Sequence, residues 1–185
     1  DAQVWSRGDI VLTGFLYEGM AADLKDVLRE RRSDCDDILE CAVKLIDVGE
    51  LASMSNDLAD LMLDASAPFH PRKSAGYALA RFGSREARRR LKSLIAGAEE
   101  DPKDDLKGLA LRCNCPDEMT TPELLKAIEH PRARHYFGAY SSFLSPLDQD
   151  GFNADGHRIV GLAWARQFAW DDRDYEATVR IARRI

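Results

Sequence analysis

Three groups of side chains in this sequence have the types and spacings that chemistry can use. The first is Cys113-x-Cys115 followed by His130 and His135, four borderline ligands within 23 residues and enough in number for a tetrahedral zinc site. Zinc ligand pairs usually stand about two to four residues apart, whereas one intervening residue at a helix end sends the two thiols in divergent directions. Small hydrophobic cysteines are the preferred reading. The second group is the loop 148–156, DQDGFNADG, which has the look of a calcium loop. Started at Asp148, however, it puts Phe152 at the fifth position, Asn153 where the turn glycine belongs and Ile159 where a bidentate glutamate belongs. Turn chemistry accounts for it better. The third group is a run of cations, Arg72, Lys73, Arg81, Arg85, Arg88, Arg89, Arg90 and Lys92.

Other chemistries find no constellation. No serine or cysteine sits in a motif with a histidine and an acid, and the four histidines (His70, His130, His135 and His157) are scattered. No GxxxxGK[ST] loop is present to cradle a nucleotide's phosphates. No catalytic residue, metal ligand or cofactor is therefore expected.

The cationic run stands out because the chain as a whole carries a net charge of −6. Residues 1–65 hold 15 acidic and 6 basic side chains, residues 66–97 hold 1 and 8, and residues 98–185 hold 16 and 12. Such a segment is either a solvated face salt-bridged to the acidic stretches at 34–64 and 99–105, or a surface for nucleic acid or another acidic partner. Few aromatic residues are interleaved with the cations, so base stacking is not indicated.

The elements that would position these groups all read as helices. Apolar residues recur at helical spacing over Asp9–Ala22, and 23–33 reads as a short exposed helix and turn. In the next segment Ile38, Cys41, Ala42, Leu45 and Val48 form a stripe ending at Gly49, with Ser33 as N-cap. Leu51, Met54, Leu58, Leu61, Met62 and Ala65 continue the pattern to Pro68. Pro71 then reads as the first residue of a helix closing at Gly83, and Ser84 as the cap of the following one. Further helices are expected from Asp101-Pro102 and from Thr121-Pro122, with an apolar turn or two over 136–144 and a loop over 147–156. The last two are expected over 155–169 and 173–184. No alternating β-branched run bounded by turn dipeptides competes with this all-α reading.

The helix ends repeat. Gly49 and Gly83 are 34 residues apart, and that offset lays Cys41, Leu45 and Val48 over Ala75, Leu79 and Phe82. An offset of 32 then lays Gly76–Leu79 over Gly108–Leu111. The small residues Ala75, Gly76, Ala78, Gly108 and Ala110 would let neighbouring helices approach closely. The expectation is an α-solenoid of about 8–10 helices, with a repeat domain over 1–145 and a helical extension over 146–185.

The segment HPRKSAGYALARFGS resembles the second helix of a HEAT repeat, in which an early arginine is followed by spaced alanines and a closing glycine. Residues 104–144 resemble the helical-repeat region downstream of the nucleotide-binding domain in bacterial NACHT-type (STAND) signal-transducing NTPases. The likeness is carried by Leu106, Gly108, Ala110, Leu111, Pro116, Thr121 and Phe137–Tyr140, with Cys115 standing where the family pattern has tryptophan. This resemblance implies a non-catalytic scaffold or sensor fragment, with any NTPase activity residing upstream of Asp1. Its partners would be proteins or other domains of the same polypeptide. No membrane span or signal peptide is legible, so a cytoplasmic location is expected. A nucleic-acid-binding module using the basic hairpin at 72–92 is the alternative.

Overall fold

The computed structural model describes residues 13–30, 36–97, 101–129, 131–133 and 137–150. Among them every regular element is helical: α1 (Met20–Glu30), α2 (Asp36–Val48), α3 (Ser55–Leu63), α4 (Phe69–Phe82), α5 (Arg85–Arg90), α6 (Asp105–Asn114), α7 (Thr121–Ala127) and α8 (Ala139–Asp150), with 3-10 turns at Ala52–Met54 and Leu91–Leu94. None of the described helices is long and apolar enough to cross a membrane. Residues 1–91 and 92–185 form two compact units.

In the first unit α1 packs on α2, α2 on α4, and α3 on both α4 and α5. The core of this unit is aliphatic, with Leu28, Ile46, Leu58, Leu61, Met62 and Leu79 all essentially closed to solvent. The buried residues of α2 are Leu39, Ala42, Val43, Ile46 and Val48, of which Ala42 and Val48 belong to the expected stripe. The rest of the expected stripe does not hold: Ile38 is 53% exposed and Cys41 is on the surface. The segment carries two overlapping apolar stripes about a third of a turn apart, and helical periodicity cannot choose between them. Thr13 is helical as expected, but the chain from Gly14 to Gly19 is not; α1 begins at Met20, and Phe15, Leu16 and Tyr17 are exposed. The start of the helix expected from Asp9 lies outside the described residues, as does Ser33.

Helix boundaries follow from which backbone groups find partners. Pro71 stands two residues into α4, which starts at Phe69 after Pro68, rather than at its first position. Ser84 caps α5 as expected, its hydroxyl accepting from the Ala87 amide at 3.3 Å. Thr120, one residue before the expected start, caps α7 in a reciprocal capping box with Glu123, leaving Pro122 in the first turn. At the end of α2 the left-handed residue is Glu50 (φ 47) and not Gly49.

Four of the polar contacts within the units span 34 residues, alongside others that span 22 to 31. Ser74 Oγ donates to Glu40 at 2.6 Å, Arg81 donates to the Asp47 carbonyl, and Arg90 Nη1 donates to the Asn56 carbonyl at 3.5 Å. In the second unit the Ala139 amide donates to Asp105 Oδ1 at 2.7 Å, again across 34 residues.

That last contact accompanies a close approach of α6 and α8. A Cβ placed on Gly108 of α6 would lie 2.3 Å from the Tyr140 amide nitrogen and 2.4 Å from its Cα. Glycine at 108 is therefore a packing requirement, as its small-residue context suggested. The helix α8 runs through position 145 and through Asp148–Asp150, so the expected domain boundary and the start of the calcium-like loop both fall inside a helix. The remainder of that loop, and the helices expected over 155–169 and 173–184, lie outside the described residues. Replacing Gly108 with alanine must push backbone apart, and Gly108→Ala is expected to destabilise the second unit by about 1–3 kcal/mol in urea denaturation.

Candidate functional site

The cationic hairpin is held by α4 and α5, and its side chains fall into distinct roles. Arg72 is 2% exposed, and its Nε donates to the Met62 carbonyl at 3.1 Å. That carbonyl lies in the last turn of α3, where no intrahelical donor follows. One helix later Arg88 donates through Nη2 to the Ala80 carbonyl at 3.3 Å and through Nε at 3.0 Å to the Leu79 carbonyl, which also accepts from the Gly83 amide, both in the last turn of α4. Each arginine thus closes the carboxyl end of the preceding helix, where a cation also meets the helix dipole favourably. Gly83 belongs to the same turn: a Cβ there would lie 2.6 Å from the Leu79 carbonyl oxygen.

Two further arginines reach back to acidic elements. Arg81 pairs with Asp47 at 3.3 Å and Glu50 at 3.5 Å, while Arg90 pairs with Asp60. Lys73 is half-buried, and Arg85 and Arg89 stand exposed on α5. Lys92, in the second unit, donates to the Glu118 carbonyl. The hairpin is accordingly no uniform cationic face. Arg72 corrects the surface assignment outright, because its guanidinium is inside the unit.

A polar cluster that the sequence reading missed lies in the second unit. Asp101, Asp104, Asp105 and Lys107 are each at most 3% exposed. Asp101 Oδ2 accepts from the Lys107 amide at 2.9 Å, and Asp104 Oδ2 accepts from the Arg132 amide at 2.7 Å. Lys107 Nζ is 3.0 Å from Glu129 and 5.3 Å from the centre of the Tyr140 ring. The Tyr140 hydroxyl accepts from the Glu129 amide and donates to the Glu129 carbonyl, both at 2.9 Å. Burial pushes the Tyr140 phenol up, so it serves as a neutral donor at physiological pH. Burial likewise raises the Asp101 carboxyl, whose Oδ1 has no hydrogen-bond partner among the described residues. The sequence signal was DPKDDLK, three acids ahead of a helix with a lysine inside its first turn, which reads as ordinary surface charge until burial is known.

The same unit carries a groove of about 400 Å³ between the 91–96 turn and α7, lined by Lys92, Ile95, Ala96, Met119, Lys126 and Ala127, with Glu123 and Glu129 beside them. Of the zinc candidates, Cys113 is buried and Cys115 half-buried, its sulfur 3.7 Å from Met119 Sδ. Burial pushes the Cys115 thiol up to about 11, which keeps it protonated and a weak nucleophile near neutrality. His130 and His135 lie outside the described residues. Among the described residues no three His, Cys, Asp or Glu side chains are placed to share a metal ion.

Two measurements check these assignments. Arg72→Ala leaves a buried carbonyl without its donor and is expected to cost about 1–3 kcal/mol in denaturant unfolding. The exposed Arg89→Ala should stay within about 0.5 kcal/mol of the parent. Because the folded-state pKa of Asp101 lies above 3.8, its contribution to stability is full below that pH and is lost as pH rises through the folded value. Asp101→Asn is expected to flatten that part of the stability–pH curve while retaining the bond from the Lys107 amide. Comparison with protein-family models, curated proteins and solved structures finds no match to this chain.

Proposed function

We propose that this chain is a non-catalytic helical-repeat module, an α-solenoid of HEAT-like hairpins, that acts as a scaffold or sensor within a larger signalling NTPase. The observation that carries the reading is the 34-residue offset shared by the bridges Ser74–Glu40, Arg81–Asp47, Arg90–Asn56 and Ala139–Asp105. In a stack of equal repeats each residue faces its counterpart one period earlier, so an offset that recurs in several helix pairs supports that architecture. A bundle without internal repetition has no reason to reuse one offset in separate helix pairs. The likeness of 104–144 to the repeat region of NACHT-type NTPases supplies the signalling context. Recognition of a protein or ligand would then use surfaces of the stack, as open repeat arrays generally do.

Nucleic-acid binding by the 72–92 hairpin is the weaker reading. Arg72 and Arg88 donate to helix-end carbonyls, while Arg81 and Arg90 face carboxylates, which leaves less charge directed outward than the sequence count suggests.

Two measurements on the purified chain test the proposal together. Deleting residues 50–83 removes one whole period and joins Gly49 to the Ser84 cap; the shortened chain is expected to keep its helical circular dichroism per residue and a cooperative melt. The parent chain should hydrolyse neither ATP nor GTP above the buffer rate. Collapse of helicity in the deletion would count against the stacked repeat, and nucleotide turnover by these 185 residues would overturn the non-catalytic assignment.

A further inference from the structure

The groove of the second unit combines an apolar floor with an unequal distribution of free charge. Ile95, Ala96, Met119 and Ala127 form its apolar surface, and its volume of about 400 Å³ falls in the range of small-ligand sites. Methionine at such a surface adapts to ligand shape at little cost. The two carboxylates beside the groove are already engaged. Glu123 Oε2 accepts from the Thr120 amide at 2.7 Å and from its hydroxyl at 2.9 Å, and these bonds hold its carboxyl below the usual range. Glu129 is neutralised by Lys107 at 3.0 Å.

The cations are in the opposite condition. Lys92 uses one donor on the Glu118 carbonyl, and an ammonium has three. Lys126 is exposed at the rim and makes no hydrogen bond or ion pair among the described residues. The groove is lined by two lysines and two glutamates, and it is the lysines that retain unused donors, because Glu123 already accepts from Thr120 and Glu129 is paired with Lys107. A ligand complementary to both features is apolar along most of its length and anionic at one end.

We propose that this groove binds a small amphipathic carboxylate, with the alkyl or aryl portion against Ile95, Met119 and Ala127 and the carboxylate at Lys126, assisted by Lys92. The site lies within the second unit and holds whatever assembly the module serves, so its test is separate from that of the repeat reading.

Decanoate is the probe, titrated into the whole chain with isothermal calorimetry and with amide chemical shifts followed in parallel. Saturable one-to-one binding is expected, with shifts concentrated at 92–96 and 119–129. Lys126→Glu should weaken it by about tenfold or more, the equivalent of roughly 1.4 kcal/mol. Ala96→Trp, at an exposed position, should block the groove without disturbing the core, and unchanged circular dichroism confirms that both variants are folded. Decyltrimethylammonium, with the same chain and the opposite charge, should not compete. Absence of saturable binding, shifts elsewhere in the chain, or equal affinity for the cationic amphiphile or for the Lys126→Glu variant would each overturn the proposal.

Discussion

A short helical hairpin cannot bury its own apolar stripe, so everything in each unit depends on how one helix seats against another a fixed distance away in the chain. The 34-residue bridges set that seating. In the first unit, Ser74 and Arg81 on α4 reach Glu40 and Asp47 on α2, which fixes both the axial register and the rotation of the pair. Once that register is set, Leu39, Val43 and Ile46 turn inward and Ile38 and Cys41 turn out. In the second unit the Ala139–Asp105 bond accompanies a crossing so close that only glycine fits at 108. Polar contacts contribute modestly to net stability, but they discriminate between registers that aliphatic packing alone would tolerate.

The concentration of positive charge acquires a structural meaning from this arrangement. Helices end with unpaired carbonyls, and in a chain of short helices there are many such ends. Arg72 and Arg88, eight to ten residues beyond the carbonyls they serve, close the ends of α3 and α4 from the next helix in line. Arg81 and Arg90 then tie the same hairpin to the acidic helices before it. Within the first unit, part of the charge segregation is a division between acceptors, Asp47, Glu50 and Asp60, and donors, Arg81 and Arg90.

The second unit faces a harder electrostatic problem, since three aspartates and a lysine are withdrawn from water near the start of α6. A buried charge without partners is costly, and most of these groups are tied to backbone amides, to Arg132 or to Glu129. Asp101 keeps one oxygen without a partner, and the rise in its pKa reflects that cost. The network joins 101–107, 129–132 and 139–140, segments far apart in sequence, and leaves the neighbouring groove with lysines less committed than its glutamates.

Helix content and the cap at Ser84 were legible in the sequence because they depend on local periodicity and on residues within a few positions of one another. The need for a small residue at 108 was legible as part of the small-residue pattern that also marks 76–79. What the sequence left open was decided by partners distant in the chain. Which of two overlapping stripes on α2 is buried depends on α4, and whether Arg72 lies on the surface depends on where α3 ends. The buried acids before α6 looked like solvated charge until Arg132, Glu129 and Tyr140 were brought around them. Periodicity specifies that a helix has an inner face; only the tertiary structure supplies the neighbour that determines which face it is.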